Sequence, residues 1–66
     1  MIPLLATVRL KEPDNKHNVS ALDRGVIVDI LANGEAYTVE FFDREGESNL
    51  EALLTEYREE QLEIID

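Results

Sequence analysis

The sequence predicts a small, mainly β domain, and three observations predict it. Two runs, Gly25-Val-Ile-Val-Asp-Ile-Leu31 and Ala36-Tyr-Thr-Val-Glu-Phe-Phe42, are rich in β-branched and aromatic residues and flank an Asn33-Gly34 pair. Asn and Gly tolerate the positive φ that a two-residue type I′ turn needs, so this dipeptide between two such runs is the strongest local hairpin signal. A second turn follows at Asp43-Arg-Glu-Gly46, with Gly where a longer hairpin loop needs a left-handed residue. The third observation is the strict alternation of small or apolar with polar residues in Ala6-Thr-Val-Arg-Leu10.

Taken in order, the first strand places Ala6, Val8 and Leu10 toward a core and Thr7 and Arg9 toward water. Leu4 and Leu5 extend it, and Pro3 limits it because proline cannot donate to a ladder. Lys11-Glu-Pro-Asp-Asn-Lys-His-Asn18 is dense in turn formers and reads as a surface loop, with Val19, Ala21 and Leu22 tucking its far end onto the core. In the second strand Val26, Val28 and Ile30 share one face, and Ile27, Asp29 and Leu31 the other. In the third, Tyr37, Val39 and Phe41 point one way and Thr38 and Glu40 the other. Three such strands supply the apolar face that an independent sheet requires.

Local rules conflict in the last third. Ser48-Asn-Leu-Glu51 fits a capping box, and Leu50, Leu53, Leu54 and Tyr57 recur at helical spacing among good helix formers. Local propensity therefore favours a helix over Asn49–Leu62. A strand competes with it, because Leu50, Ala52 and Leu54 also alternate and a hairpin partner lies immediately upstream.

The order of residues also resembles a family of very small bacterial domains of unknown function, numbered four-nine-two-six. The matching pieces are Ala6-Thr-Val-Arg-Leu10, Asp23-Arg-Gly-Val-Ile-Val28, Gly34-Glu-Ala-Tyr-Thr-Val-Glu-Phe-Phe-Asp43, Gly46, Leu54-Thr55 and Gln61-Leu62, which span nearly the whole chain. The resemblance implies a small SH3-like five-stranded antiparallel barrel, similar to those of nitrile hydratase β subunits and their activator proteins. It implies a fourth strand near Ser48–Thr55, a one-turn 3₁₀ helix near Arg58–Gln61 and a closing strand at Leu62–Ile65. It tips the conflict in the last third toward a strand. The chain departs from the family's pattern at Leu22, commonly a glycine, at Glu56, often apolar, and at Glu63, often arginine.

Size and charge bound the function. A chain of 66 residues makes a single domain, 1–66, near the lower limit for an unstapled core, and without cysteine it has neither disulfides nor thiolate metal ligands. Leu, Ile, Val and Phe number 21, enough to argue against disorder. No apolar run approaches a membrane span and no leader pattern opens the chain, so a cytoplasmic location is expected. Of the net charge of −9, residues 1–42 contribute −2 and residues 43–66 contribute −7. Phosphate binding rests on Lys and Arg, so nucleic acid is disfavoured and an acidic field steers toward basic partners.

Catalytic chemistry has thin support. His17 is the single histidine, and Asp14 lies three residues before it in a polar loop. A metal or nucleophile–base role needs more ligands or partners than that pair supplies. Asp23-Arg24-Gly25 reads as a turn into the second strand, with no helix N-terminus behind it to cradle a phosphate. The expected reading is a non-enzymatic chain with no cofactor and no metal, which binds a basic protein in the manner of an antitoxin or immunity protein. Its expected docking residues are Glu40, Phe42, Asp43, Glu45 and Glu47, with Phe42 as an exposed anchor on the face opposite Phe41. The alternatives are an accessory subunit of a larger enzyme and an RNA- or ribosome-associated barrel of the KOW type. A homodimer through an uncovered strand edge is a further expectation.

Overall fold

Two long antiparallel strands frame the domain. In a computed structural model, which describes residues 1–65, β2 (Arg24–Leu31) and β3 (Ala36–Phe42) pair along their length, with Leu31 opposite Ala36 and Arg24 opposite Phe42. β1 (Thr7–Leu10) pairs with the other edge of β2, and β4 (Leu62–Ile64) pairs with β1. The result is one antiparallel sheet in the order β3-β2-β1-β4. Among the described residues there are thus four strands in an open sheet, not a closed five-stranded barrel.

The alternation in β1 and β3 translates directly into burial. Val8, Leu10, Tyr37, Val39 and Phe41 are buried, while Arg9 is exposed and Thr38 and Glu40 lie between the two extremes. β2 breaks the pattern. A bulge at Val28 separates the Ile27–Val39 pair from the Asp29–Thr38 pair. The extra residue reverses the phase, so Ile27 is fully buried and Ile30 also packs on the core, although they have opposite parity. Val28 itself turns outward. Gly25 explains how β2 lies so near β3's inner face. A Cβ there would stand 2.6 Å from Val39 Cγ1 and 2.8 Å from the Phe41 ring.

Three turns differ in detail from their sequence readings. Leu31–Ala36 closes the first hairpin, so its loop is the four residues 32–35 instead of a two-residue turn. Asn33 and Gly34 do adopt positive φ, and Ala32 joins them at φ 50°. The second turn follows its expected plan: Gly46 has φ +83°, and the Asp43 N–H donates to Glu47 C=O at 3.0 Å. Leu4 and Leu5 do not extend β1. They form an exposed turn in which Leu5 takes φ 70°, while Ile2 inserts into the core and its N–H donates to Tyr37 Oη at 2.9 Å.

The return from residue 48 to residue 57 follows neither expectation. Ser48 bridges Phe42 and Tyr57 bridges Tyr37, both on the free edge of β3. The five steps from Tyr37 to Phe42 face nine from Ser48 to Tyr57, and the surplus four residues are α1, Leu50–Leu53. A strand over Ser48–Thr55 is excluded by that mismatch, and a helix over Asn49–Leu62 is excluded because Tyr57 must return to the sheet. Asn49, not Ser48, caps the turn by accepting from Ala52 N–H at 3.0 Å. Ala52 is pressed onto β3 and fully buried. Beyond Tyr57, a 3₁₀ turn at Glu59–Gln61 starts one residue later than expected, and β4 stops one residue earlier.

The core is a single cluster that joins Ile2, Val8, Val19, Ile27, Phe41, Tyr57 and Leu62 with their neighbours. Phe41 and Tyr57 meet edge to face with centroids 5.4 Å apart. Leu22, expected at the core, is 76% exposed instead. Among the described residues no helix is long and apolar enough to cross a membrane.

Candidate functional site

Two acid-organised turns stand side by side at one end of the β2–β3 hairpin. At the end of β3, Asp43 Oδ1 accepts from both Glu45 N–H and Glu47 N–H at 2.9 Å, which folds residues 43–47 into a fixed loop. Before β2, Asp23 Oδ2 accepts from Ser20 N–H at 2.9 Å, and Ser20 Oγ accepts from Leu22 N–H at 3.0 Å. Because Arg24 pairs directly with Phe42, these two turns are held as neighbours.

Between them runs a shallow groove of about 830 Å³. Leu22, Asp23 and Arg24 line one side, and Phe42, Asp43, Arg44 and Glu45 the other. A smaller groove of about 310 Å³ adjoins it through the shared residues Asp23 and Asp43, and continues along Glu47, Leu50 and Glu51. The apolar lining of the larger groove is Leu22, largely exposed, and Phe42, half-buried. The walls of the two grooves together carry five carboxylates and two guanidinium groups, which leaves the trough net negative.

The five residues expected to dock a partner divide here. Phe42, Asp43 and Glu45 come together in the larger groove, and Glu47 lies in the smaller one. Glu40 lines neither. It lies on the outer face of the sheet opposite Val26, where its Oε2 accepts from Ser48 Oγ at 3.0 Å. Phe42 is half-buried, so it presents an edge of apolar surface and not a free-standing ring. Sequence reasoning missed Leu22, Asp23 and Glu51. The available signal for Leu22 was an apolar residue set between the turn formers Ser20 and Asp23.

The carboxylates of Asp23 and Asp43 are engaged with backbone N–H groups of their own turns. They attract cations electrostatically while staying fixed in position. Among the described residues no group of three or more His, Cys, Asp or Glu is arranged to hold a metal ion.

A second polar cluster lies under the loop before β2. Asp14 Oδ2 accepts from Tyr57 Oη at 2.7 Å and lies 2.7 Å from His17 Nδ1. Burial works to raise the Asp14 carboxyl, but the hydrogen bonds from Tyr57 and His17 and the imidazole's charge outweigh it and hold it below its usual range. Burial pushes the Tyr57 phenol well up, and the adjacent Asp14 charge adds to the rise. Asn49 Nδ2 donates to the carbonyls of His17 (2.8 Å) and Asn18 (3.1 Å). The cluster ties three distant segments together through hydrogen bonds among Asp14, His17, Asn49 and Tyr57, which is the geometry of a structural clasp. Asp14 and His17, three residues apart in the chain, meet here, with Tyr57 as the member the sequence did not reveal.

Comparison with known proteins adds one match. A family profile described as "Domain of unknown function (DUF4926)" covers residues 4–64. No curated protein and no solved structure matches the chain.

Proposed function

Because the chain belongs to the DUF4926 family of domains of unknown function, and that description assigns no chemistry, we propose from the groove itself that this is a non-catalytic protein-binding domain for a basic partner. The observation that carries the reading is the placement of two apolar side chains, exposed Leu22 and half-buried Phe42, between carboxylate-bearing turns. An acidic rim speeds encounter with a cationic surface, and a partly desolvated apolar centre lengthens residence. Masking of a toxin's positive substrate surface, as by an antitoxin or immunity protein, uses that combination. Arg24 and Arg44 within the groove would set register by rejecting partners whose cations fall opposite them.

The test is a pull-down for basic proteins from the native cell extract, followed by a binding titration against the protein recovered, with kinetics at low and high salt. The association rate is expected to fall with salt. Phe42→Ala should weaken binding at least tenfold, and Glu45→Lys with Glu47→Lys should slow association. Binding indifferent to all three substitutions sinks the reading.

A second reading has its own support. Tyr57 bridges the free edge of β3 and β4 pairs with the far edge of the sheet, with one 3₁₀ turn between them. This short crossing between opposite edges supports a reading of kinship with SH3-like barrels. That kinship favours an accessory or assembly subunit of a larger enzyme, in the manner of nitrile hydratase activators. Stable co-purification with a metalloenzyme in stoichiometric amount distinguishes it from toxin masking. Light scattering after size exclusion tests a homodimer through the β4 edge.

A further inference from the structure

Among the described residues β4 is the outermost strand of the sheet, with β1 on one side and no strand on the other. Its ladder with β1 is regular: Val8 stands opposite Ile64, Arg9 opposite Glu63 and Leu10 opposite Leu62. Lys11 N–H donates to Gln61 C=O and Ile65 N–H donates to Thr7 C=O, each at 2.9 Å. Hydrogen-bonded positions recur at every second residue of an antiparallel ladder, so residues 61, 63 and 65 turn their peptide groups toward β1. Leu62 and Ile64 turn theirs the other way. Leu62 N–H is taken by Glu59 C=O in the 3₁₀ turn. Leu62 C=O and the N–H and C=O of Ile64 therefore face the side where no strand lies.

The apolar layer also runs out here. Ile64 shares the inner face with Val8, yet Val8 is fully buried and Ile64 is 51% exposed. A groove of about 650 Å³ runs along this edge, and Ile2, Leu62 and Ile64 give it an apolar lining. Glu59, Glu60 and Glu63 outnumber Lys11 among its charged residues, and the Met1 ammonium engages Glu59 at 3.5 Å. Glu63 lies on the outer face, where Arg9 Nε donates to its Oε1 at 2.8 Å. A carboxylate has two oxygens and accepts from a second cation as well. Opposite charges on neighbouring strands stabilise the pairing, so the position beyond Glu63 suits Lys or Arg. A second copy fits poorly, because each chain carries a net charge of −9.

We propose that the β4 edge takes up an extended strand of a protein partner, one that alternates apolar residues with Lys or Arg. The partner's backbone pairs with Ile64 and lengthens the sheet beyond β4. Its apolar residues continue the inner face beside Ile64 and cover it. Its cations extend the outer row that runs from Arg9 through Glu63. Main-chain bonds supply the affinity, and the alternation of side chains supplies the specificity. The edge uses none of Leu22, Phe42 or Asp43, so this assignment stands whether or not the acidic groove holds a basic protein.

The test is an amide NMR titration of the full chain with a short synthetic peptide of alternating valine and lysine. The Ile64 amide is expected to move downfield as it gains an acceptor. Smaller shifts are expected at Leu62, Glu63 and Ile65, and none at Glu45 or Glu47 in the acidic groove. A valine–glutamate peptide should leave all of these amides in place. Glu63→Lys, on the exposed outer face, should weaken the lysine peptide roughly fivefold. An Ile64 amide unmoved at millimolar lysine peptide overturns the proposal, as do shifts confined to Asp43–Glu47. Equal binding of the two peptides overturns it too. So does an Ile64 shift that follows protein concentration without peptide, which assigns the edge to a second copy.

Discussion

Tyr57 donates its hydroxyl to Asp14 Oδ2 at 2.7 Å, although 43 residues separate them in the chain. The bond closes the loop before β2 over the returning C-terminal segment. Tyr57→Phe keeps the ring against Phe41 and removes this one bond to a charged acceptor. A loss of about 2 kcal/mol is expected in urea unfolding.

The same pair sets the pH response. The folded Asp14 carboxyl sits below its ordinary value of 3.8, so its stabilisation is present above that pH and is lost as pH falls through the lower folded value. The folded Tyr57 phenol sits above its ordinary 10.0, so its contribution is full below pH 10 and declines as pH rises beyond it. Y57F should flatten both limbs of a stability–pH curve. Unchanged limbs in the variant would assign the pH dependence elsewhere.

Gly25→Ala should destabilise by about 1–3 kcal/mol through overpacking. The new methyl would stand 2.6 Å from Val39 Cγ1, inside a core with no flexible side-chain end to yield. Val39→Ala in the same chain relieves only one of the clashes, because the Phe41 ring still stands 2.8 Å away, so the double variant should stay less stable than the parent. Thermal unfolding of the single and double variants checks this.

Gly46→Ala isolates the backbone. No atom lies within 4 Å of a Cβ built there, but φ is +83°. A cost of about 1 kcal/mol is expected from the left-handed conformation alone. Gly46→Asn should cost less, since Asn tolerates that region.

Arg9 Nε and Glu63 Oε1 lie 2.8 Å apart on the outer face of β1 and β4, with both side chains nearly half exposed. Such a pair is worth under about 1 kcal/mol and is screened by salt. Glu63→Gln should change the unfolding midpoint little at low salt and not at all at high salt.

Much of the fold was legible because one-sided burial imposes a period of two. Val8 and Leu10, then Tyr37, Val39 and Phe41, could be assigned inward from alternation alone. Positive φ at Asn33, Gly34 and Gly46 was legible from residue type. Phe42, Asp43 and Glu45 were legible as a group since chain contiguity already keeps them together. Leu22 and Asp23 join that group only because Arg24 pairs with Phe42, and pairing register is not a local property. The Val28 bulge was hidden for a similar reason: a run of β-branched residues reads the same with or without one unpaired member.

Residues acting over a few positions thus decided the faces of β1 and β3, the turn sites and the acidic bias of the last third. Tertiary structure decided the path from Ser48 to Tyr57. There the sequence supports helix and strand almost equally, and burial of the Tyr57 ring beside Phe41, with its hydroxyl on Asp14, anchors the far end. With both ends held on β3, four residues exceed what the edge can pair, and a single capped helical turn takes up the excess.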